Sequence, residues 1–205
     1  MTQTGSVYPI RLYGDPVLRG QAQAIEDLSA PVQVPGFAPQ SLQEVARAML
    51  ETMYEARGAG LAGPQVGLPH QIFVAVEYDD DTEEGKPLRA RALREFVMLN
   101  PVVEPLSDRV DTDFGEGCLS IPGLKRTDVP RHSEIRVTYT DLGGERRSIE
   151  ADAFLARIFQ HETDHLHGLY YLDRLPGYVT EEYVEYLAEL KGRARAYLQT
   201  LEAQG

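Results

Sequence analysis

Residues 160–169 read QHETDHLHGL, with His161, Glu162 and His165 inside little more than one helical turn. This is either a solvated turn that happens to hold histidines or the working face of a metal hydrolase. The flanking residues predict a helix from about Asp152 to His167, with Asp152 as N-cap and Gly168 just past the end. On it, Phe154, Ile158, His161 and His165 are spaced four, three and four residues apart, so at about 100° per residue they share one stripe. Leu155, Phe159, Glu162 and Leu166 form the adjacent stripe, while Arg157, Thr163 and Asp164 mostly flank it. His161, Glu162 and His165 are thus expected on the apolar face, where unpaired polar groups are costly and need partners. Two imidazoles one turn apart can converge on one metal ion, with Glu162 beside it as a base.

A third ligand is missing from the helix. Cys118, in FGEGCLSIPG, is the candidate, because Gly117 lets its backbone approach another element. A lone cysteine is ordinarily just a small buried residue. One Cys with two His, however, leaves a tetrahedral position open, which is the catalytic arrangement, and the metal would hold the sulfur as thiolate. A closed, structural site would instead recruit His70, His132 or His167.

Working outward, 205 residues suffice for one domain spanning 1–205, and 42% hydrophobic with 25% charged residues is ordinary for a soluble protein. No run of about 18 apolar residues occurs, so no membrane association is expected. The N-terminus has neither a basic start nor an apolar run, which makes the cytoplasm the expected location. The single cysteine permits no internal disulfide, consistent with a reducing compartment. A net charge of −12 argues against nucleic acid as the main partner. The acidic run over residues 77–85 reads as a solvated loop, lacking the Gly-centred pattern of a calcium site. Lys191, Arg193 and Arg195 form the one clear basic cluster.

Hydrophobic period predicts a first helix over about Ser41–Arg57, stopped at Gly58, and a third over about 180–201 with Thr180 as N-cap. Between the first two helices the signal is β. QIFVAVEY and EFVMLNP are short apolar runs, the second ended by Pro101, and EIRVTYTDLGGERRSIE reads as a hairpin turning at DLGG. The expected class is α+β, with antiparallel sheets packed around a central metal-binding helix and a C-terminal helix.

Three segments, GAGLAGPQ (58–65), EGCLS (116–120) and HETDH (161–165), together resemble the signature motifs of peptide deformylases, in that family's order. YGDPVLR and GLYYLDRL agree, so the resemblance spans roughly residues 8–175. It implies removal of the formyl group from the N-terminal formyl-methionine of new proteins, with formyl-methionyl peptides and nascent chains as substrates. By resemblance Cys118, His161 and His165 are metal ligands and Glu162 the general acid/base. Gln65 and the backbone N–H of Leu119 bind the formyl oxygen, and Ala59 and Gly60 offer backbone groups to an extended substrate. The implied metal is Fe2+, with Zn2+, Ni2+ or Co2+ able to occupy the site.

Gly63 departs from the family's usual alanine, which bears on how firmly Gln65 is held. The stretch PGLKRTDVPR is a residue longer than common versions, leaving open whether Lys125 or Arg126 meets the substrate. Glu116 is a candidate acceptor for a ligand imidazole, Asp164 a candidate partner for Arg131, and Phe154 and Ile158 candidate walls of a methionine pocket. No role is apparent for Arg157. The substrate's origin suggests the ribosome as a partner through the C-terminal helix, against the simpler reading of a solvated basic face. The rival readings are an H-E-x-x-H metallopeptidase, whose third ligand usually lies downstream, and a non-catalytic, metal-stabilised ribosome-binding module.

Overall fold

The computed structural model describes residues 7–79, 88–177 and 181–203. Helix α1 (Leu42–Glu55) opens with a capping box: Ser41 Oγ accepts from the Glu44 N–H, and the Glu44 carboxylate accepts from the Ser41 N–H at 2.9 Å. At its other end Arg57, rather than Gly58, takes the left-handed conformation at φ 58°.

The main sheet is antiparallel throughout, in the order β1 (Gly60–Ala62), β2 (Ile72–Tyr78), β3 (Ala92–Pro105), β8 (Glu134–Thr140), β9 (Arg146–Asp152). Two short pairs complete it: β4 (Val110–Asp111) with β7 (Arg131–His132), and β5 (Glu116–Cys118) with β6 (Ile121–Arg126). Strand β2 is apolar from Ile72 to Val76 because both of its faces are covered there. Ile72, Val74 and Val76 pack with Val45, Met49 and Met53 of α1, whereas Phe73 and Ala75 pack with Ile158 and Phe159 of the histidine helix. The sheet therefore lies between two helices.

Pro101 does not end its strand, as the sequence suggested. β3 runs on to Pro105, with its register shifting between Leu99 and Val102 and Asn100 at φ 50°. The proline falls in this irregularity, where its missing N–H costs no ladder bond. The expected β8–β9 hairpin pairs from Glu134↔Asp152 to Thr140↔Arg146 and buries Ile135 and Val137.

Helix α2 (Ala153–Leu166) follows β9 without a loop, the chain turning at Ala153 with φ 48°. Asp152 is its N-cap, but its side chain makes no capping hydrogen bond. The expected flanking positions Arg157, Thr163 and Asp164 are buried like the ligand stripe, because every residue from Ala156 to Leu166 is enclosed. The sheet covers one side of the helix; β5 and the β4–β7 pair cover others. Helix α3 (Val184–Glu202) buries Leu187, Leu190 and Ala194, the two leucines packing with Leu18, Ile121 and Tyr171, and leaves Lys191, Arg193 and Arg195 exposed. Thr180, the expected N-cap, lies outside the described residues. Of the acidic run, Glu77 and Tyr78 belong to β2 and residues 80–85 lie outside the described residues. No described helix is long and apolar enough to cross a membrane.

Candidate active site

Strand β5 brings Cys118 to the histidine helix. With a two-residue period, Glu116 and Cys118 point to the same side while Gly117 stays exposed. Potential ligand atoms of Cys118, His161 and His165 all lie within 4.8 Å of one another, all three residues being buried. Cys118 Sγ is 3.2 Å from His165 Nε2. His70, His132 and His167 do not join this group, the one such cluster among the described residues.

Glu116 fixes the first imidazole. Its Oε1 accepts from His161 Nδ1 at 2.6 Å, which leaves Nε2 to offer its lone pair. The same carboxylate accepts from Arg131 Nε and Arg157 Nη1, both at 3.0 Å. Arg131 also reaches Asp164 at 2.6 Å, the expected pair, and Arg174 grips Asp164 from outside, its Nε at 2.6 Å. Burial pushes the Glu116 carboxyl up, but hydrogen bonds from His161 and Arg131 outweigh it and hold the group well below the ordinary carboxylate range.

Arg157, unexplained from sequence, is 2% exposed and donates to Glu116, to the Val129 carbonyl at 2.8 Å and to Asp111 at 3.2 Å. The one available signal is a guanidinium four residues before His161 inside an otherwise apolar helical run. It locks Glu116 to the β4 segment.

Glu162 sits at the foot of a groove of about 540 Å³ and is packed against Gly60. A Cβ on Gly60 would stand 2.4 Å from Glu162 Oε1, so any side chain here would displace the carboxylate. The Ala59 carbonyl accepts from the Val76 N–H at 2.9 Å, and Gly60 is the next residue along in register with Ala75. Antiparallel alternation therefore turns the Gly60 backbone groups away from β2, while those of Ala59 face it. Burial pushes the Glu162 carboxyl up to about 7, with the His161 charge opposing and Glu116 adding. Its Oε2 is buried and has no hydrogen-bond partner among the described residues.

Gln65 is firmly held, despite Gly63. Its Oε1 accepts from the Ala62 N–H at 2.8 Å, and Nε2 faces Ser120 Oγ at 3.3 Å and Cys118 Sγ at 3.6 Å. Ser120, which closes the EGCLS segment and had no role assigned from sequence, thus helps orient the amide. A Cβ at Gly63 would meet backbone oxygens of His70 and Leu68 at 2.8 and 2.9 Å, so the glycine allows tighter packing here. Leu119, Phe154 and Ile158 line the groove. Lys125 lines it too, whereas Arg126 is engaged by Asp128 and the Tyr183 hydroxyl.

The donor set suits a divalent cation. His161 is raised well above the ordinary imidazole range: burial opposes this, but Cys118 and Glu116 outweigh it, so positive charge is favoured between them. His165 is held well below that range by burial and the His161 charge, which keeps its lone pair available. One sulfur and two imidazole nitrogens with the unpartnered Glu162 oxygen nearby match an open catalytic site better than a closed structural one.

An antiparallel α+β fold, with an H-E-x-x-H helix facing an upstream cysteine, defines a metal-dependent hydrolase. Its family follows from the comparisons: the polypeptide deformylase family profile matches residues 7–180, and the chain belongs to that family. A peptide deformylase of Thermus thermophilus is 45% identical over 201 residues, covering 95% of this chain and 98% of its own. One from Synechococcus sp. (strain CC9311) is 39% identical, covering 81% and 72%. A crystal structure of the peptide deformylase from Thermus thermophilus superposes with a TM-score of 0.76 at 42% identity, covering 94% of this chain and 99% of that one. That of Synechococcus elongatus in complex with actinonin gives 0.70 at 32%, covering 94% and 89%. The chain is thus an enzyme that removes formyl groups from formylated peptides, acting with a single metal ion. Neither the metallopeptidase nor the non-catalytic reading is favoured.

Proposed function

We propose that residues 1–205 act as one catalytic domain that hydrolyses the formyl group from the N-terminal formyl-methionine of newly made proteins, with Cys118, His161 and His165 holding the metal. The observation that carries this reading is the convergence of those three donors within 4.8 Å beside the unpartnered Glu162 carboxylate. Fe2+ is the proposed physiological ion, with Zn2+, Ni2+ and Co2+ as alternatives. When bound, the ion supplies positive charge that acidifies water and polarises the formyl oxygen.

Glu162 takes a proton from water as the water oxygen attacks the formyl carbon. It returns that proton to the amine nitrogen as the C–N bond breaks, giving formate and a free N-terminus. The Gln65 Nε2 and the Leu119 N–H donate to the formyl oxygen as charge develops on it; losing one such donor costs about 3 kcal/mol of barrier. Gly60, with Ala59 beside it, aligns the substrate backbone along the free edge of β1. Phe154 and Ile158 wall the methionine side chain. The exposed Lys191, Arg193 and Arg195 of α3 are the proposed contact to the ribosome, and the cytoplasm is the proposed compartment.

The experiment is formate release by anaerobically prepared protein from formyl-methionyl-alanyl-serine, set against cleavage of an unformylated internal peptide. Formate without internal cleavage supports the reading. Internal cleavage, or no formate with metal bound, overturns it.

A further inference from the structure

The lysines, arginines and glutamates lining the groove are Arg57, Glu116, Lys125, Arg157 and Glu162. Glu116 and Arg157 neutralise each other within the buried network, and Glu162 is occupied at the reaction centre. A peptide entering the groove therefore meets two charges, Arg57 and Lys125. Both are exposed, and neither side chain makes an ion pair or hydrogen bond with any described residue. By contrast, the exposed Arg89 pairs with Glu51 and Arg136 with Glu150.

Their placement is specific. The Lys125 chain lies along Gly115, where an added Cβ would be 2.4 Å from Lys125 Cε, so the ammonium is carried within the groove. Arg57 stands three residues before Gly60, at most about 11 Å of chain away. A peptide anchored at Glu162 and extended at about 3.3 Å per residue along β1 comes close to that distance with its third residue.

Resting on the deformylase reading, we infer that Arg57 and Lys125 are specificity-determining residues that select formylated peptides carrying acidic side chains in the two residues after methionine. The net charge of −12 opposes this at long range. At physiological ionic strength that field is screened beyond about 8 Å, while the groove cations act at contact distance.

The test compares kcat/KM for formyl-Met-Glu-Glu-Ser, formyl-Met-Ala-Ala-Ser and formyl-Met-Lys-Lys-Ser. The glutamate peptide is expected to exceed the lysine peptide by about tenfold at low salt, two exposed ion pairs each contributing a few-fold. The difference should reside in KM and shrink at high salt, and the double variant Arg57→Glu/Lys125→Glu should reverse the order. Glutamate and lysine peptides within about twofold at low salt, or an unchanged order in the double variant, overturn the inference. Failure to deformylate any of the three peptides would be failure of the underlying reading, and would take the inference with it.

Discussion

Nδ1 of His161 donates to Oε1 of Glu116 across 2.6 Å, and the same carboxylate is held by the buried guanidinium groups of Arg131 and Arg157. The imidazole is therefore oriented by a residue that lies two positions from Cys118 on β5. One short strand supplies both a sulfur donor and the group that aims the nitrogen it meets. Glu116→Gln keeps the shape but weakens this acceptor, and metal affinity should fall about 10–100-fold, read by chelator competition. Unchanged affinity would show that the ring needs no such support.

Arg157 should matter for stability before chemistry. Arg157→Met leaves Asp111 without its buried partner and the Val129 carbonyl without its donor. A loss of about 3 kcal/mol is expected, measured as a lowered urea midpoint. A midpoint matching the parent protein would mean that the network relaxes around the gap.

Gly60→Ala places a methyl 2.4 Å from Glu162 Oε1 and 2.7 Å from its Cγ. The carboxylate must shift, and kcat should drop about 100-fold while metal content stays the same. Near-normal turnover would place the working position of Glu162 away from Gly60.

Alkaline stability offers a check far from the metal. Tyr8 is buried with its hydroxyl donating to Gln40 at 2.7 Å, and burial pushes its pKa from 10.0 to about 12. The unfolded chain releases this proton first, so Tyr8 contributes stability that is intact below pH 10 and lost as pH rises towards 12. Tyr8→Phe should flatten that decline in denaturation curves; an identical decline would show that other groups set it.

The helices were legible because their period is local: Leu42, Val45, Met49 and Met53 mark one face of α1 without reference to anything else. The hairpin was legible for the same reason. Burial of α2 on every side was not, since a helix's own period cannot reveal how many layers enclose it. Pro101 read as a strand end because tolerance of a proline depends on a bulge that only the partner strand reveals. The meeting of Cys118 with the histidines followed from donor chemistry and from resemblance, not from any spacing along the chain. Arg157 and Ser120 had no role assigned because their roles lie in contacts with β4, β5 and Gln65. The choice between Lys125 and Arg126 required knowing that Tyr183, more than fifty residues on, claims the arginine.

The central claim is that one sulfur and two imidazole nitrogens hold the ion and leave a corner for chemistry. X-ray absorption at the metal edge of zinc-loaded protein tests it directly. The account predicts one sulfur at about 2.3 Å, two nitrogens at about 2.0–2.1 Å and one further light atom not supplied by the protein. A spectrum without sulfur, or one requiring four protein donors, would contradict it.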